Sequence, residues 1–256
     1  MKYIYEELKK IIDKSNRMVF FGGAGVSTES GVPDFRSENG LYQARQNYGR
    51  SPEEMISYGF FLTETNTFFD YYKNNLIYRE VKPNPAHLAL AELEKRGKLL
   101  AVVTQNIDGL HQMAGSKKVW ELHGSVQRNY CIKCGAFYDL DYIMDPENCK
   151  GADGQPSHIP YCDKCGGIVK PDVVLYGEAL DQDVINNAVD AISQADTLIV
   201  GGTSLVVYPA AGLINYFRGN DLVLINKSST PYDRKATLVI HEPIGEVLGA
   251  CVFYGE

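Results

Sequence analysis

A glycine-rich stretch at residues 22–36, GGAGVSTESGVPDFR, combines residue types that bind nucleotides. It follows an apolar run at 17–21 that has the composition of a buried strand. Where such a strand ends in Gly-x-Gly, backbone N–H groups can approach a diphosphate closely, and the N-terminus of a following helix favours an anion. The hydroxyl groups of Ser27, Thr28 and Ser30 could cap that helix or contact phosphate. The stretch therefore predicts a nucleotide-binding loop.

The second half of this stretch departs from an ordinary turn. Thr28 stands where the dinucleotide fingerprint G-x-G-x-x-G has its third glycine, so the glycines alone do not identify the ligand. Residues 31–36, GVPDFR, bring together a helix breaker, a carboxylate, a large aromatic ring and a guanidinium. These residue types are poorly suited to a core, and we interpret the segment as a lid over a bound ligand.

Four of the six cysteines form two Cys-x-x-Cys pairs, each followed by a glycine. The four residues are Cys131, Cys134, Cys162 and Cys165. Two such pairs can bind a tetrahedral Zn²⁺ and leave no coordination position open, which is typical of structural zinc. We therefore predict one structural zinc ion. Cys149 has no partner at this spacing and is interpreted as a bystander, whereas Cys251 is expected to be a buried apolar residue.

The elements that must position these residues follow from the hydrophobic pattern. Apolar runs predict buried strands, and amphipathic spacing predicts helices between them. The predicted strands lie at 17–21, 99–103, 118–123, 197–200, 222–225 and 238–240. The predicted helices lie at 3–14, 84–97, 181–195 and 244–252. Because the strands alternate with helices, we predict an α/β fold with a doubly wound, Rossmann-like parallel sheet.

Residues 37–81 follow a different pattern, in which tyrosine and phenylalanine dominate without the alternation of a strand. The motif SPEE at 51–54 is typical of a helix start, with proline at the first position and acidic residues in the first turn. We predict a small helical insertion, whose aromatic residues mostly form its core, with a mobile entry loop at 37–50. The predicted parts are a Rossmann-like domain at 1–36, 87–127 and 168–256, a helical module with a cofactor loop at 37–86, and a zinc-binding module at 128–167.

Length and composition fit a soluble globular protein. The chain has 256 residues, 45% of them hydrophobic and 22% charged, with a formal net charge of −7. No apolar run approaches the roughly 20 residues that span a bilayer, and the stretch at 1–15 is charged throughout, so we predict a cytoplasmic protein without a membrane partner. The negative charge argues against a broad nucleic-acid-binding surface. We expect a monomer.

Polar residues follow several of the predicted strands at their carboxyl ends. Glycine loops at 22–25 and 201–204 follow two of them. The polar residues at the ends of two other strands are Gln105, Asn106, Asp108 and Asn226. In open α/β sheets, ligands bind at the carboxyl ends of the strands. We therefore predict that these groups bind a dinucleotide along its length.

Taken together and in order, these motifs resemble those of the sirtuins, which are NAD-dependent protein deacylases. The matching motifs are GAGVS at 23–27, SGVPDFR at 30–36, TQNIDGLH at 104–111, ELHG at 121–124, the two cysteine pairs, VVLYGE at 173–178, GTSL at 202–205 and IN at 225–226. The resemblance covers nearly the whole chain and points to a small bacterial or archaeal form. Gly22 departs from the family pattern, which usually has threonine there, and we expect this change to be tolerated.

The resemblance implies that NAD is consumed as a co-substrate, giving deacetylated lysine, nicotinamide and O-acetyl-ADP-ribose. It implies that His123 contacts the cofactor and acts as general base on a ribose hydroxyl. It also makes Asn106 a catalytic residue that, with Gln105, positions the nicotinamide ribose. Ile107 and Asp108 are implied to bind the nicotinamide carboxamide.

The resemblance also assigns the remaining contacts of the cofactor and the peptide. Phe35 shields the nicotinamide side, and Arg36 helps to hold the diphosphate and the loop. The rest of NAD is bound by Ala24, Thr28, Thr203, Ser204, Asn226, Lys227 and Ile244. An acetyl-lysine peptide adds a strand between the segments 174–179 and 205–208. The implied substrate contacts are Val174, Tyr176 and Val206.

The choice of acyl group is implied as well. Sirtuins that remove acidic acyl groups resemble one another in a Tyr-x-x-Arg pair, whose arginine binds the distal carboxylate. In this chain Phe69 and Tyr72 occupy the matching positions, and on a helix Lys73 points about 100° away from Tyr72. We therefore expect acetyl to be preferred over succinyl, unless the alignment is shifted by one turn or an arginine such as Arg45 or Arg79 reaches the pocket.

Three other functions were weighed against this one. A mono-ADP-ribosyltransferase would use the same NAD site. A dehydrogenase would share the fold, but the cysteine pairs and the PDFR segment are unusual for that class, and no acid for a substrate carbonyl is evident. A zinc module that binds nucleic acid would have basic flanks, whereas aspartate and glutamate outnumber lysine around the cysteines.

Overall fold

The computed structural model describes residues 2–34, 45–150 and 155–253. Within these residues the strands are β1 (Met18–Gly22), β2 (Leu99–Thr104), β3 (Val119–Glu121), β4 (Gly124–Cys131), β5 (Phe137–Tyr138), β6 (Val169–Val173), β7 (Thr197–Gly201), β8 (Asp221–Ile225) and β9 (Leu238–Ile240). The α-helices include α1 (Lys2–Lys14), α2 (Pro52–Met55), α3 (Tyr58–Thr63), α4 (Thr65–Asn75), α5 (Pro85–Lys95), α6 (Leu110–Ala114), α7 (Leu140–Met144), α8 (Gln182–Gln194) and α9 (Ile244–Phe253). Among the described residues, no helix is both long and apolar enough to cross a bilayer.

Six strands form a parallel sheet in the order β3-β2-β1-β7-β8-β9. Strand β1 lies in the middle of this sheet, and all of its residues are buried. Its last residue, Gly22, pairs with Thr104 of β2 on one side and with Gly201 of β7 on the other. The three strands therefore end level with one another, and the loops that follow them meet at one edge of the sheet.

Helices cover both faces of this sheet. Successive residues of β1 point to opposite sides and so pack against helices on either face. On one face α1, α5 and α9 pack into a core that contains Phe20, Leu90 and Leu248. On the other face α8 packs into a core that contains Phe21 and Ile192. The predicted α/β fold with a doubly wound parallel sheet is confirmed.

The other three strands form an antiparallel sheet in the order β5-β4-β6. This smaller sheet shares one hydrophobic core with the helices at 52–75, whose aromatic residues are largely buried there as predicted. Strand β4 starts at Gly124 and β6 ends at Val173, so the smaller sheet extends beyond 128–167 at both ends. The division of the chain into three parts at the stated boundaries stays a prediction.

Strand β3 is shorter than the predicted strand at 118–123. It ends at Glu121, and His123 lies in the connection to β4. The cause is Gly124, which has a φ of +74° and would place a Cβ 1.8 Å from the carbonyl oxygen of Asp172. Because only glycine fits this left-handed position, the chain turns here from the larger sheet into the smaller one.

We predict that Gly202→Ala destabilises the fold. Gly202 has a φ of +59°, and a Cβ there would lie 2.3 Å from the backbone nitrogen of Val26. Forcing extra atoms into such a packed position typically costs about 1–3 kcal/mol, which chemical denaturation would measure as a lower free energy of unfolding.

The control is Gly59→Ala in α3, where a Cβ meets nothing within 4 Å. This variant should be neutral or slightly more stable, since alanine favours a helix more than glycine does. If Gly202→Ala were as stable as Gly59→Ala, the close packing of the loop at Gly202 would be contradicted.

Candidate active site

A cavity of about 500 Å³ opens at the carboxyl edge of the parallel sheet. It brings together residues from the first glycine loop, from the segment after β2, from the connection between β3 and β4, and from the segment after β6. The predicted site residues that line it are Ala24, Gln105, Asn106, Ile107, Asp108, His123, Val174 and Tyr176. Residues that are distant in sequence therefore share one site, as the sequence predicted.

Ser27 is the centre of a buried hydrogen-bond network in this cavity. Its hydroxyl group donates to Oδ2 of Asp108 at 2.7 Å and accepts from Nδ2 of Asn106 at 3.0 Å. The other carboxylate oxygen of Asp108 accepts from the backbone N–H of Leu110 at 2.9 Å. Burial raises the pKa of Asp108, and the hydrogen bonds from Ser27 and Leu110 oppose that shift because they favour the carboxylate. The network fixes the side chains of Asn106 and Asp108 through contacts within the protein.

The sequence suggested Ser27 only as a helix cap or a phosphate contact. The chain after the glycine loop instead forms two short 3₁₀ turns, Ala24–Val26 and Thr28–Ser30, and neither has a side-chain cap. Ser27 lies between the turns and is 1% exposed. A buried serine in a glycine loop was the available signal, but its partners come from 79 and 81 residues further along the chain.

The orientation of His123 suits a general base. Its Nδ1 lies 2.9 Å from the carbonyl oxygen of Gln105, and because a carbonyl can only accept, Nδ1 carries the proton. In the neutral ring the lone pair then belongs to Nε2, which is the nitrogen that can take a proton. The carbonyl of His123 accepts from the N–H of Val174 at 3.0 Å, so the histidine is tied to the predicted substrate segment.

The two glycine loops touch each other directly. The N–H of Gly25 donates to the carbonyl of Gly202 at 2.8 Å, and the N–H of Gly23 donates to the carbonyl of Gly201 at 3.3 Å. Nε2 of Gln105 adds a hydrogen bond of 3.2 Å to Oγ1 of Thr203. The N–H groups of Gly23 and Gly25 therefore join the two loops and are not available to a phosphate.

The remaining predicted cofactor residues lie away from the lining of this cavity. Thr28, Ser204 and Lys227 are exposed at loops of the same sheet edge, and the Asn226 side chain donates to the Ser228 carbonyl at 2.7 Å. Ile244 is 3% exposed and packs in the core at the start of α9. Phe35 and Arg36 lie outside the described residues, as does the predicted entry loop as far as residue 44.

The predicted substrate segments border the cavity. The N–H of Tyr176 donates to the carbonyl of Ile56 at 3.1 Å, and the carbonyl of Tyr176 accepts from Tyr58 at 2.9 Å. On the other side Val206 is 61% exposed, next to Val207, which lines the cavity. The two segments thus leave a cleft with exposed apolar groups at its mouth.

The four predicted zinc ligands form a cluster in which every pair of sulfur atoms lies within 4.8 Å. Sγ of Cys131 is 3.4 Å from Sγ of Cys165, and Sγ of Cys134 is 3.6 Å from Sγ of Cys162. A tetrahedron with Zn–S bonds of about 2.3 Å separates its sulfurs by about 3.8 Å, so the cluster fits a zinc ion. Cys149 lies apart from it, beside Lys73, and Cys251 is buried as predicted.

The fold and the site define a nucleotide-binding α/β protein with a four-cysteine zinc module, and comparison with known proteins identifies its family. A model of the Sir2 family matches residues 23–209. NAD-dependent protein deacetylases of Clostridium acetobutylicum and Clostridium perfringens are both 62% identical, over 94% and 96% of this chain and 95% and 97% of theirs. A solved structure of a Sir2 variant with deacetylated p53 peptide and 3′-O-acetyl ADP ribose has a TM-score of 0.85 at 38% identity, covering 98% of each chain. The chain belongs to the Sir2 family.

We predict that Cys131→Ala removes the zinc ion and with it the folded state of the module. Binding a metal at such a site contributes directly to the free energy of folding. The wild-type protein should hold one equivalent of zinc per chain by elemental analysis, and the variant should hold none and unfold at a lower temperature.

Cys149→Ala is the matched control, because its sulfur lies outside the cluster and the metal should be retained. A wild-type protein that is folded without any bound metal would contradict the assignment.

Proposed function

We propose that this protein is an NAD-dependent protein lysine deacetylase that releases nicotinamide and O-acetyl-ADP-ribose. The observation that carries the proposal is the position of His123, which shares one cavity with the network of Ser27, Asn106 and Asp108 and is bonded to Val174. The name of the curated relatives, NAD-dependent protein deacetylase, supports the same reaction.

Five polar or apolar residues of the cavity have a role in this reaction. Bound NAD would supply an electrophilic ribose carbon, whose glycosidic bond breaks to release nicotinamide as the acetyl oxygen of the substrate bonds to that carbon. Nε2 of His123 removes a proton from a ribose hydroxyl. Ile107 and the Asp108 carboxylate hold the nicotinamide carboxamide, whose N–H groups are donors. Asn106 and Gln105 position the ribose, and their fixed hydrogen bonds reduce the reorganisation needed on binding.

The cavity favours an uncharged acyl group. Among the described residues that line it, Asp108 and Glu178 are acidic and none is a lysine or arginine. Phe69 and Tyr72 are fully buried in the core of the helical module, and Arg79 pairs with Asp141 outside this cavity. Among the described residues of the cavity, a carboxylate at the end of the acyl chain would therefore find no lysine or arginine to pair with it.

The remaining expectations about partners and location stay predictions. An acetyl-lysine protein or peptide is the proposed substrate, and the net charge of −7 opposes binding to a phosphate backbone. A monomer in the cytoplasm is still the state that we expect.

We predict that His123→Ala lowers kcat by about 10²-fold or more, the usual contribution of a positioned general base. NAD should still bind, since the network of Ser27, Asn106 and Asp108 does not include the imidazole. Steady-state kinetics with an acetyl-lysine peptide, and calorimetry with NAD, would measure the two effects.

His158→Ala is the control, because this exposed histidine lies near Asp70 in another part of the chain. A folded His123→Ala variant that has lost NAD affinity but keeps full turnover at saturating NAD would assign His123 to binding instead.

We predict that kcat/KM for an acetyl-lysine peptide exceeds that for the succinyl version by at least about tenfold. Leaving a buried charged group unpaired costs more than about 1–3 kcal/mol, and 1.4 kcal/mol corresponds to a factor of ten.

A butyryl-lysine peptide is the control for size, since a butyryl group has as many carbon atoms as a succinyl group but carries no charge. It should react faster than the succinyl peptide. Succinyl activity equal to or above acetyl activity would show that a cation reaches the pocket and would refute this reading.

A further inference from the structure

Lys170 lies on β6, just before the predicted substrate segment, and its ammonium group is almost enclosed. The side chain is 16% exposed. An ammonium group has three N–H donors, and three oxygens lie around Nζ: the carbonyl of Pro171 at 3.2 Å, the carbonyl of Val173 at 3.1 Å and Oε2 of Glu178 at 3.0 Å. Every donor of this lysine therefore has an acceptor from the protein itself.

Glu178 connects this lysine to the segment that borders the cavity. The same carboxylate oxygen, Oε2, accepts from the N–H of Leu175 at 2.8 Å, and the N–H of Glu178 donates to the carbonyl of Leu175 at 2.9 Å. Gly177 allows the turn between them with a φ of +95°. Lys170 and Glu178 thus hold the two ends of the segment 174–178 together through side-chain contacts.

Backbone hydrogen bonds hold the outer side of the segment. Val174 donates to His123, and Tyr176 exchanges hydrogen bonds with Ile56 and Tyr58. These bonds fall on alternate residues, Val174 and Tyr176, which is the spacing of a strand. The contacts of Lys170 and Glu178 restrain the residues between them, above all Leu175, whose N–H and carbonyl both bond to Glu178.

We infer that Lys170 is a positioning residue for the peptide substrate. It acts through Glu178 to hold the segment 174–178 in one conformation, extended as far as Tyr176 and turning at Gly177, beside the cleft that receives an acetyl-lysine peptide. The inference rests on the proposed deacetylase function. A segment that is already ordered loses less conformational entropy when the peptide binds. Lys170 therefore sets the affinity for the peptide rather than the rate of the chemical step.

The test compares Lys170→Met with the wild-type protein. Methionine keeps an unbranched apolar chain but has no N–H donor, so the Val173 carbonyl and the Glu178 carboxylate lose their common partner. We expect KM for the peptide to rise about tenfold, while kcat at saturating peptide and KM for NAD stay unchanged. Lys170→Arg keeps the charge and should recover most of the peptide affinity.

Lys98→Met is a matched control. Nζ of Lys98 also has three protein acceptors, the carbonyls of Ile12, Asp13 and Ser15 at 3.0, 2.8 and 3.0 Å. They lie at the opposite end of β2 from Gln105, far from the cavity. Lys98→Met should therefore lower stability without raising KM for the peptide. If both variants raised it equally, the effect of Lys170 would be general destabilisation and the inference would fail.

Amide hydrogen exchange gives a readout that needs no activity. In the protein without NAD or peptide, Lys170→Met should speed exchange at Leu175, whose N–H bonds to Glu178, and leave strand β1 unchanged. Unchanged exchange at Leu175 overturns the inference whatever the enzyme does. The function is tested separately: failure of the wild-type protein to release nicotinamide would refute the deacetylase, whereas normal wild-type turnover with an unchanged peptide KM in Lys170→Met would refute only the role of Lys170.

Discussion

The hydrogen bond from Gly25 to Gly202 brings the backbones of two loops into direct contact at the edge of the sheet. Its N···O distance is 2.8 Å, and a Cβ on Gly25 would lie 2.8 Å from the Cα of Gly202. Contact at this range is open only to residues without a side chain. It joins the loops after β1 and β7, so Ser27, two residues beyond Gly25, is held in the interior beside the segment after β2. The polar network of the cavity follows from that placement.

The smaller sheet completes the site from the other side. Strand β3 brings the chain to His123, and Gly124 then turns it into β4, which pairs with β6. His123 is therefore located where the two sheets meet, with its ring bonded to Gln105 and its carbonyl bonded to Val174. A zinc ion at the far end of β4 would stabilise this sheet without taking part in the chemistry. The cysteine cluster and the proposed base are thus linked through a single strand.

Much of this arrangement could be predicted because it is encoded locally. The apolar runs predicted the strands of the parallel sheet, and the two Cys-x-x-Cys pairs predicted the cysteine cluster. The roles of residues such as His123 and Asp108 come from the resemblance to sirtuins and stay predictions. What could not be predicted depends on pairing between distant segments: the partners of Ser27, the burial of Ile244, and the extent of β4. The residue opposite Gly124 is Val173, and no local pattern indicates that contact.

The proposed role of this cavity is to couple NAD consumption to the removal of an acetyl group from lysine. The decisive experiment is mass spectrometry of all products from an incubation of the wild-type protein with NAD and an acetyl-lysine peptide. We expect nicotinamide, O-acetyl-ADP-ribose and deacetylated peptide in equal amounts. Peptide or protein that gains ADP-ribose while the acetyl group remains on lysine would contradict it, and would identify the same NAD site as that of an ADP-ribosyltransferase.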